Sequence, residues 1–134
     1  DKKKIKKVGL FDENFFLYLE EIDLCKRLLS SNEKIYGNNY AKIIHLGAKS
    51  SNLGFEYEKC KSWHWMWSKF YYNKKHEGYI LSLIKTFPTF FFSFLKYFFY
   101  NIFGNYKKKE IYKMRLLGLF NSYLLRKSFY RPKI

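Results

Sequence analysis

The stretch from Tyr79 to Phe103 constrains this chain most. It is rich in Phe, Ile and Leu, but Lys85, Pro88 and Lys96 interrupt it. It therefore lacks the ~20 uninterrupted apolar residues of a spanning helix. At 3.6 residues per turn, Ser82, Lys85, Thr89, Ser93 and Lys96 fall in one sector of roughly 80°. The rest of the circumference is nearly all Ile, Leu, Phe and Tyr. A wide apolar face with a narrow cationic stripe predicts a helix lying in the headgroup region of a membrane. Lys85 and Lys96 would face the headgroups, while Phe87, Phe91, Phe94 and Phe98 would sit in lipid, with Pro88 kinking the helix. Twelve of the chain's 31 aromatic residues lie between Tyr79 and Tyr106, a density that suits a membrane interface better than a soluble core.

Charge divides the chain at the same place. Residues 1–78 hold 15 Lys/Arg and 10 Asp/Glu, whereas residues 79–134 hold 11 Lys/Arg and one acid, Glu110. Of the net +15, the tail therefore carries +10 and is drawn to anionic surfaces. Charge alone leaves acidic lipid, nucleic acid and an anionic partner open. Cys25 and Cys60 form no C-x-x-C pair, which argues against a zinc site or a disulfide scaffold. Cys25, among Ile22, Leu24 and Leu28, reads as a buried free thiol.

Upstream of the tail the pattern is mixed. Phe15 to Leu19 is a compact apolar run suited to a buried strand. Glu20 to Ser31 reads as a helix with Ile22, Cys25 and Leu28 on one face and with Glu20, Glu21 and Asp23 in the first turn, where the helix dipole favours acids. Lys34–Tyr36 and Ala41–Leu46 read as short strands joined by a Gly37-Asn38-Asn39 turn. Glu56 to His76 reads as a helix ending before Gly78. Trp63, Trp65 and Trp67 repeat every second residue, so on a helix some must point outward. His64 between them reads as a packing residue. Beyond the Gly104-Asn105 break, a second amphipathic stretch opens at Lys107.

Three blocks carry a likeness. Phe11-Asp12-Glu13-Asn14-Phe15-Phe16-Leu17-Tyr18-Leu19-Glu20-Glu21-Ile22-Asp23-Leu24-Cys25-Lys26-Arg27 resembles the F-D-E-x-F-F-x-Y-x-E-D-x-D-L-x-x-R motif of bacterial family 2 glycosyltransferases, particularly the rhamnosyltransferase-like branch. Ile43-Ile44-His45-Leu46-Gly47 with Ser50 resembles that group's strand-His-loop element. Phe70 to Gly78 resembles its aromatic-K-H-x-G stretch. The blocks keep order and spacing across Val8 to Gly78.

The resemblance implies an α/β chain, the C-terminal portion of a GT-A, Rossmann-like domain followed by amphipathic helices. Residues 1–78 would be the acceptor side and catalytic portion, and residues 79–134 a basic, membrane-associating tail. No D-x-D triplet and no glycine-rich phosphate loop occurs, so the nucleotide-binding half is expected to be missing and the fragment inactive alone. The implied reaction is inverting transfer of a sugar from a nucleotide-sugar to a glycan or lipid-linked acceptor at the cytoplasmic face of the membrane.

Such a transfer needs a carboxylate to take the acceptor's proton and a cation to stabilise the departing nucleoside diphosphate. By resemblance Glu21 is the base, standing where the family has Asp and carrying a longer side chain. Glu20 would orient the acceptor, Asp23 would support the site, and Arg27 (which could pair with Asp23 at i+4) and His76 would touch substrate. His45 would ligate a divalent metal, Mn or Mg. The competing expectation is a non-enzymatic module binding membrane or nucleic acid through interleaved Lys, Tyr and Phe. No nucleic-acid motif supports the second target, so a membrane surface is expected and nucleic acid is not.

Overall fold

A computed structural model describes residues 1–44 and 54–131. Five helices run through them: α1 (Lys2–Lys7), α2 (Glu20–Ser30), α3 (Gly54–Glu77), α4 (Tyr79–Ile102) and α5 (Tyr106–Tyr123). No strand occurs among the described residues. The α/β, Rossmann-like expectation is therefore overturned: the described chain is all-helical.

The apolar run Phe15–Leu19 shows why. Tyr18 (φ 69°) and Leu19 (φ 71°) both adopt the left-handed conformation, which no strand accommodates. The run is laid across α3 instead of pairing with a neighbour. Phe15 meets Tyr71 edge-on at 4.9 Å, Phe16 lies 4.8 Å from His64, and Tyr18 meets Trp65 edge-on at 5.4 Å. The Ser68 hydroxyl donates to the Leu17 carbonyl at 2.8 Å. Residues 34–36 and 41–44 are also not strands; 45 and 46 lie outside the described residues.

The helices themselves follow the sequence closely. α2 ends in a Schellman-type turn, with Asn32 left-handed (φ 61°) and the Glu33 N–H bonded to the Leu28 carbonyl. Gly78 (φ 88°) separates α3 from α4. Asn105 caps α5 through its side chain, which accepts from the Lys108 N–H at 3.1 Å. α4 runs unbroken through Pro88.

α3, α4 and α5 pack on one another as a three-helix unit, so the division drawn after Gly78 falls inside it. Trp63, Met66, Trp67, Phe70, Met114 and Leu119 are buried between them. Trp63, Trp67 and Tyr71, each one turn apart, form a stacked column on α3. Trp65 points outward. α5 reaches this column because Gly118 has no side chain: a Cβ there would stand 2.3 Å from the Trp63 carbonyl oxygen.

The chain after α5 returns along α3 as a strap. The Trp67 indole N–H donates to the Arg126 carbonyl (2.9 Å), His64 Nε2 donates to the Tyr130 carbonyl (2.8 Å), and the Ser128 hydroxyl donates to the Asn14 carbonyl (2.9 Å). Arg131 covers the Phe16 ring at 3.6 Å. His64 is thus the packing residue expected, and burial pushes its pKa down. Cys25 is half-buried, Cys60 is buried, and both are free thiols.

α4 packs on the bundle through its small polar side. Its small polar residues Ser82, Thr86 and Ser93 are buried against the bundle. Ser82 and Thr86 satisfy their hydroxyls on carbonyls one turn back, at 2.6 Å each. Thr89 accepts from Lys69, and Lys96 lies over the Tyr112 ring. The small residues of the stripe face protein, because small side chains let three helices approach closely, while Lys85 and Lys96 stay exposed. The phenylalanines are left outside.

Candidate functional site

The acidic motif and the end of α3 build one polar cluster around Asp23. Asp23 lies on the inner face of α2, beside Leu24, and its side chain is fully buried. Its Oδ2 accepts from Arg27 Nε at 2.8 Å, one turn along the same helix, and from Lys75 Nζ at 2.9 Å. Its Oδ1 accepts from His76 Nε2 at 2.8 Å. The last turn of α3 thus supplies two donors and α2 a third.

Lys75 continues the cluster to the motif's first acid. Its ammonium donates to Asp12 Oδ2 at 2.6 Å, and the Tyr71 hydroxyl donates to the same oxygen at 3.0 Å. Asn14 gives Asp12 both its backbone N–H and its amide. Burial would raise the Asp12 pKa, but the Lys75, Asn14 and Tyr71 hydrogen bonds outweigh it and hold the carboxyl at about 2. Burial and the bond to Asp12 push the Tyr71 phenol up to about 12. Asp23 follows Asp12: burial acts upward, yet Lys75, Arg27 and His76 together hold its carboxyl below the ordinary range.

Arg27 has a further task. Its two terminal nitrogens donate to the Val8 and Leu10 carbonyls. The guanidinium therefore ties the tight turn at Gly9 (φ 90°) and Leu10 (φ 58°) to α2.

Among the residues expected to form a site, Asp23, Arg27 and His76 come together. Glu21 is exposed, pointing away from this cluster's buried face. Glu20 is half-buried, and its Oε2 is sealed from solvent with no hydrogen-bond partner among the described residues. His45 lies outside the described residues.

The donor set does not fit a divalent metal. Among the described residues no three His, Cys, Asp or Glu side chains gather to hold one, and both carboxylates of the cluster are already occupied, Asp12 by Lys75 and Asp23 by Lys75 and Arg27. Chemically the cluster is a charge-matched clasp: two carboxylates against one ammonium and one guanidinium, with an imidazole donor on the free edge.

No protein-family model, curated protein or solved structure matches this chain.

Sequence reasoning passed over Asp12, Tyr71 and Lys75 as site residues. The signal was present, because Asp12 sits in the first resembling block and Tyr71 and Lys75 in the third. Those two blocks are the two halves of the clasp.

The other prominent surface is the outer face of α4. Phe91, Phe94 and Phe98 are 47%, 42% and 48% exposed, and Ile80, Ile84, Phe87, Leu95 and Ile102 continue their row. The tip of the α4–α5 hairpin exposes Phe103 and Tyr106 beside Lys107 and Lys108. No described helix is long and apolar enough to cross a membrane.

Proposed function

We propose that this chain is the membrane-docking, acceptor-side portion of a glycosyltransferase, acting on a glycan or lipid-linked acceptor at a membrane surface. The observation that carries the membrane part is the packing of α4, with hydroxyls inward and aromatic rings outward over about 36 Å of helix. An apolar patch of that extent marks an interaction surface. Lys107 and Lys108 at its tip favour anionic lipid, at about 1 kcal/mol per cation near the surface. The helix would lie with its phenylalanine face immersed and α3 and α5 on the aqueous side.

The catalytic part is supported by the motif's resemblance and by the placement of its acids. Asp23 is consumed by the clasp and positions the start of α2. Glu20 and Glu21, at that helix start, remain for acceptor chemistry, with Glu21 the base. In the full-length protein, Glu21→Gln should lower sugar transfer at least ~10²-fold with little loss of donor binding. Undiminished transfer by Glu21→Gln would sink the base assignment.

Flotation with phosphatidylglycerol vesicles tests the docking. Phe91→Ser with Phe98→Ser should reduce bound protein strongly, and high salt should weaken binding without abolishing it. A chain that stays in solution with anionic vesicles at low salt would remove the membrane part. A non-enzymatic membrane module is the second reading, favoured by the saturation of Asp12 and Asp23. Docking intact in a protein that transfers no sugar would select it.

A further inference from the structure

Two open clefts meet at Arg115. One, of about 400 Å³, is lined by Tyr18, Lys61, Ser62, Trp65 and Arg115. The other, of about 320 Å³, is lined by Thr89, Phe92, Ser93, Lys96, Tyr112 and Arg115. Arg115 is their shared wall.

The charge in these clefts is one-sided. No carboxylate lines either of them. Six cations elsewhere (Lys4, Arg27, Lys59, Lys75, Lys85 and Lys113) each have an acidic partner. Among the described residues, Lys61, Lys96 and Arg115 have none.

Two of these three are also drawn to one ring. Lys96 Nζ and the Arg115 guanidinium lie 5.4 and 5.3 Å from the centre of Tyr112. Arg115 Nε is sealed from solvent and has no acceptor. A half-buried arginine normally has an oxygen fixing it; Arg115 has none among the described residues, so its terminal nitrogens, not the sealed Nε, remain for a ligand in the clefts. A guanidinium edge flanked by two ammonium groups matches a tetrahedral oxyanion of more than one charge.

We propose that the Arg115 clefts bind the phosphate or diphosphate group of an amphiphile. Its apolar chain would pass Phe92, which lines the second cleft and is well exposed on the outer side of α4. On the other side, Trp65 offers a ring 44% exposed, braced edge-on by Tyr18, which lies two residues before Glu20. A planar or sugar-like group attached to the phosphate would stack there, toward the motif's acids. The lipid part of this assignment rests on the membrane reading above. The phosphate part stands without it.

The test uses two probes and four substitutions. Inorganic pyrophosphate, titrated by calorimetry, reports free phosphate chemistry, and phosphatidylcholine vesicles containing phosphatidic acid report a lipid headgroup. Arg115→Gln and Lys96→Gln should each weaken binding at least tenfold, as loss of a charge-assisted hydrogen bond implies. Lys34→Gln, which removes the same charge outside the clefts and away from α4, should change it less than about twofold, an allowance for long-range charge.

Arg115→Lys should recover part of the loss, which separates ligand contact from simple destabilisation. Loss confined to the vesicles identifies a lipid headgroup, and loss with both probes shows that the phosphate alone suffices. Pyrophosphate binding that depends on Arg115, in a chain that ignores vesicles, would overturn the amphiphile and keep the phosphate site. Equal effects of Arg115→Gln, Lys96→Gln and Lys34→Gln on both probes would overturn the proposal entirely.

Discussion

Replacing Asp23 with Asn tests the clasp. The substitution keeps the shape of the side chain and removes its charge from a fully buried position that accepts from Arg27, Lys75 and His76. Taking one partner from a buried ion pair costs about 3–5 kcal/mol, because the remaining charge is left uncompensated. Here the lower end applies. Lys75 keeps Asp12, and Arg27 keeps the Val8 and Leu10 carbonyls. The expected loss is therefore about 3 kcal/mol at pH 7.

Urea unfolding followed by helical circular dichroism measures it, since guanidinium would screen the charges under study. The pH dependence adds a sign. Both carboxyls have folded pKa values below their ordinary ones, so the stability they contribute is complete above pH 4. It drains away as pH falls through the lowered values. Asp12, held at about 2 against an ordinary 3.8, contributes about 2 kcal/mol of this. The gap between the native chain and Asp23→Asn should close as pH falls through that window, because the native Asp23 is then itself neutral. A loss under ~1 kcal/mol at pH 7, or a gap unchanged in acid, would refute the charge argument.

Other outcomes follow from the packing. Gly118→Ala should destabilise by about 1–3 kcal/mol in urea melts despite alanine's helix preference, because its Cβ would meet the Trp63 carbonyl at 2.3 Å and backbone cannot step aside cheaply. Asn105→Ala, which removes the side-chain cap on the Lys108 N–H, should cost about 1 kcal/mol. Lys75→Met should cost more than Asp23→Asn in the same melts, since it strips both carboxylates of their common partner.

Helix positions were legible because their signals are local. The acids of the first turn and the polar Ser30-Ser31-Asn32 stop placed α2 to within a residue, and the Gly78 and Gly104-Asn105 breaks framed α4. The Asp23–Arg27 pair was legible for the same reason, being one turn apart. The strand expected at Phe15–Leu19 failed because five apolar residues carry no period long enough to separate strand from packed loop. What decided the matter was the aromatic wall of α3 some fifty residues away. On α4 the period grouped Ser82, Lys85, Thr89, Ser93 and Lys96, but a period cannot say that Ser82 and Ser93 meet protein while Lys85 and Lys96 stay exposed. The partners Lys75 and His76 of Asp23 lie 52 and 53 positions along the chain, a separation no local rule spans.

The strap after α5 sets an order of events during synthesis. Asn14, Phe16 and His64 are secured by Ser128, Arg131 and Tyr130, so the motif segment, though it touches α3 directly, is strapped down only when residues 126–131 have emerged. α4, by contrast, is complete some thirty residues earlier, its aromatic face already formed. A nascent chain therefore presents its greasy helix before the strap has closed over its acidic motif. The first surface it meets is met by α4.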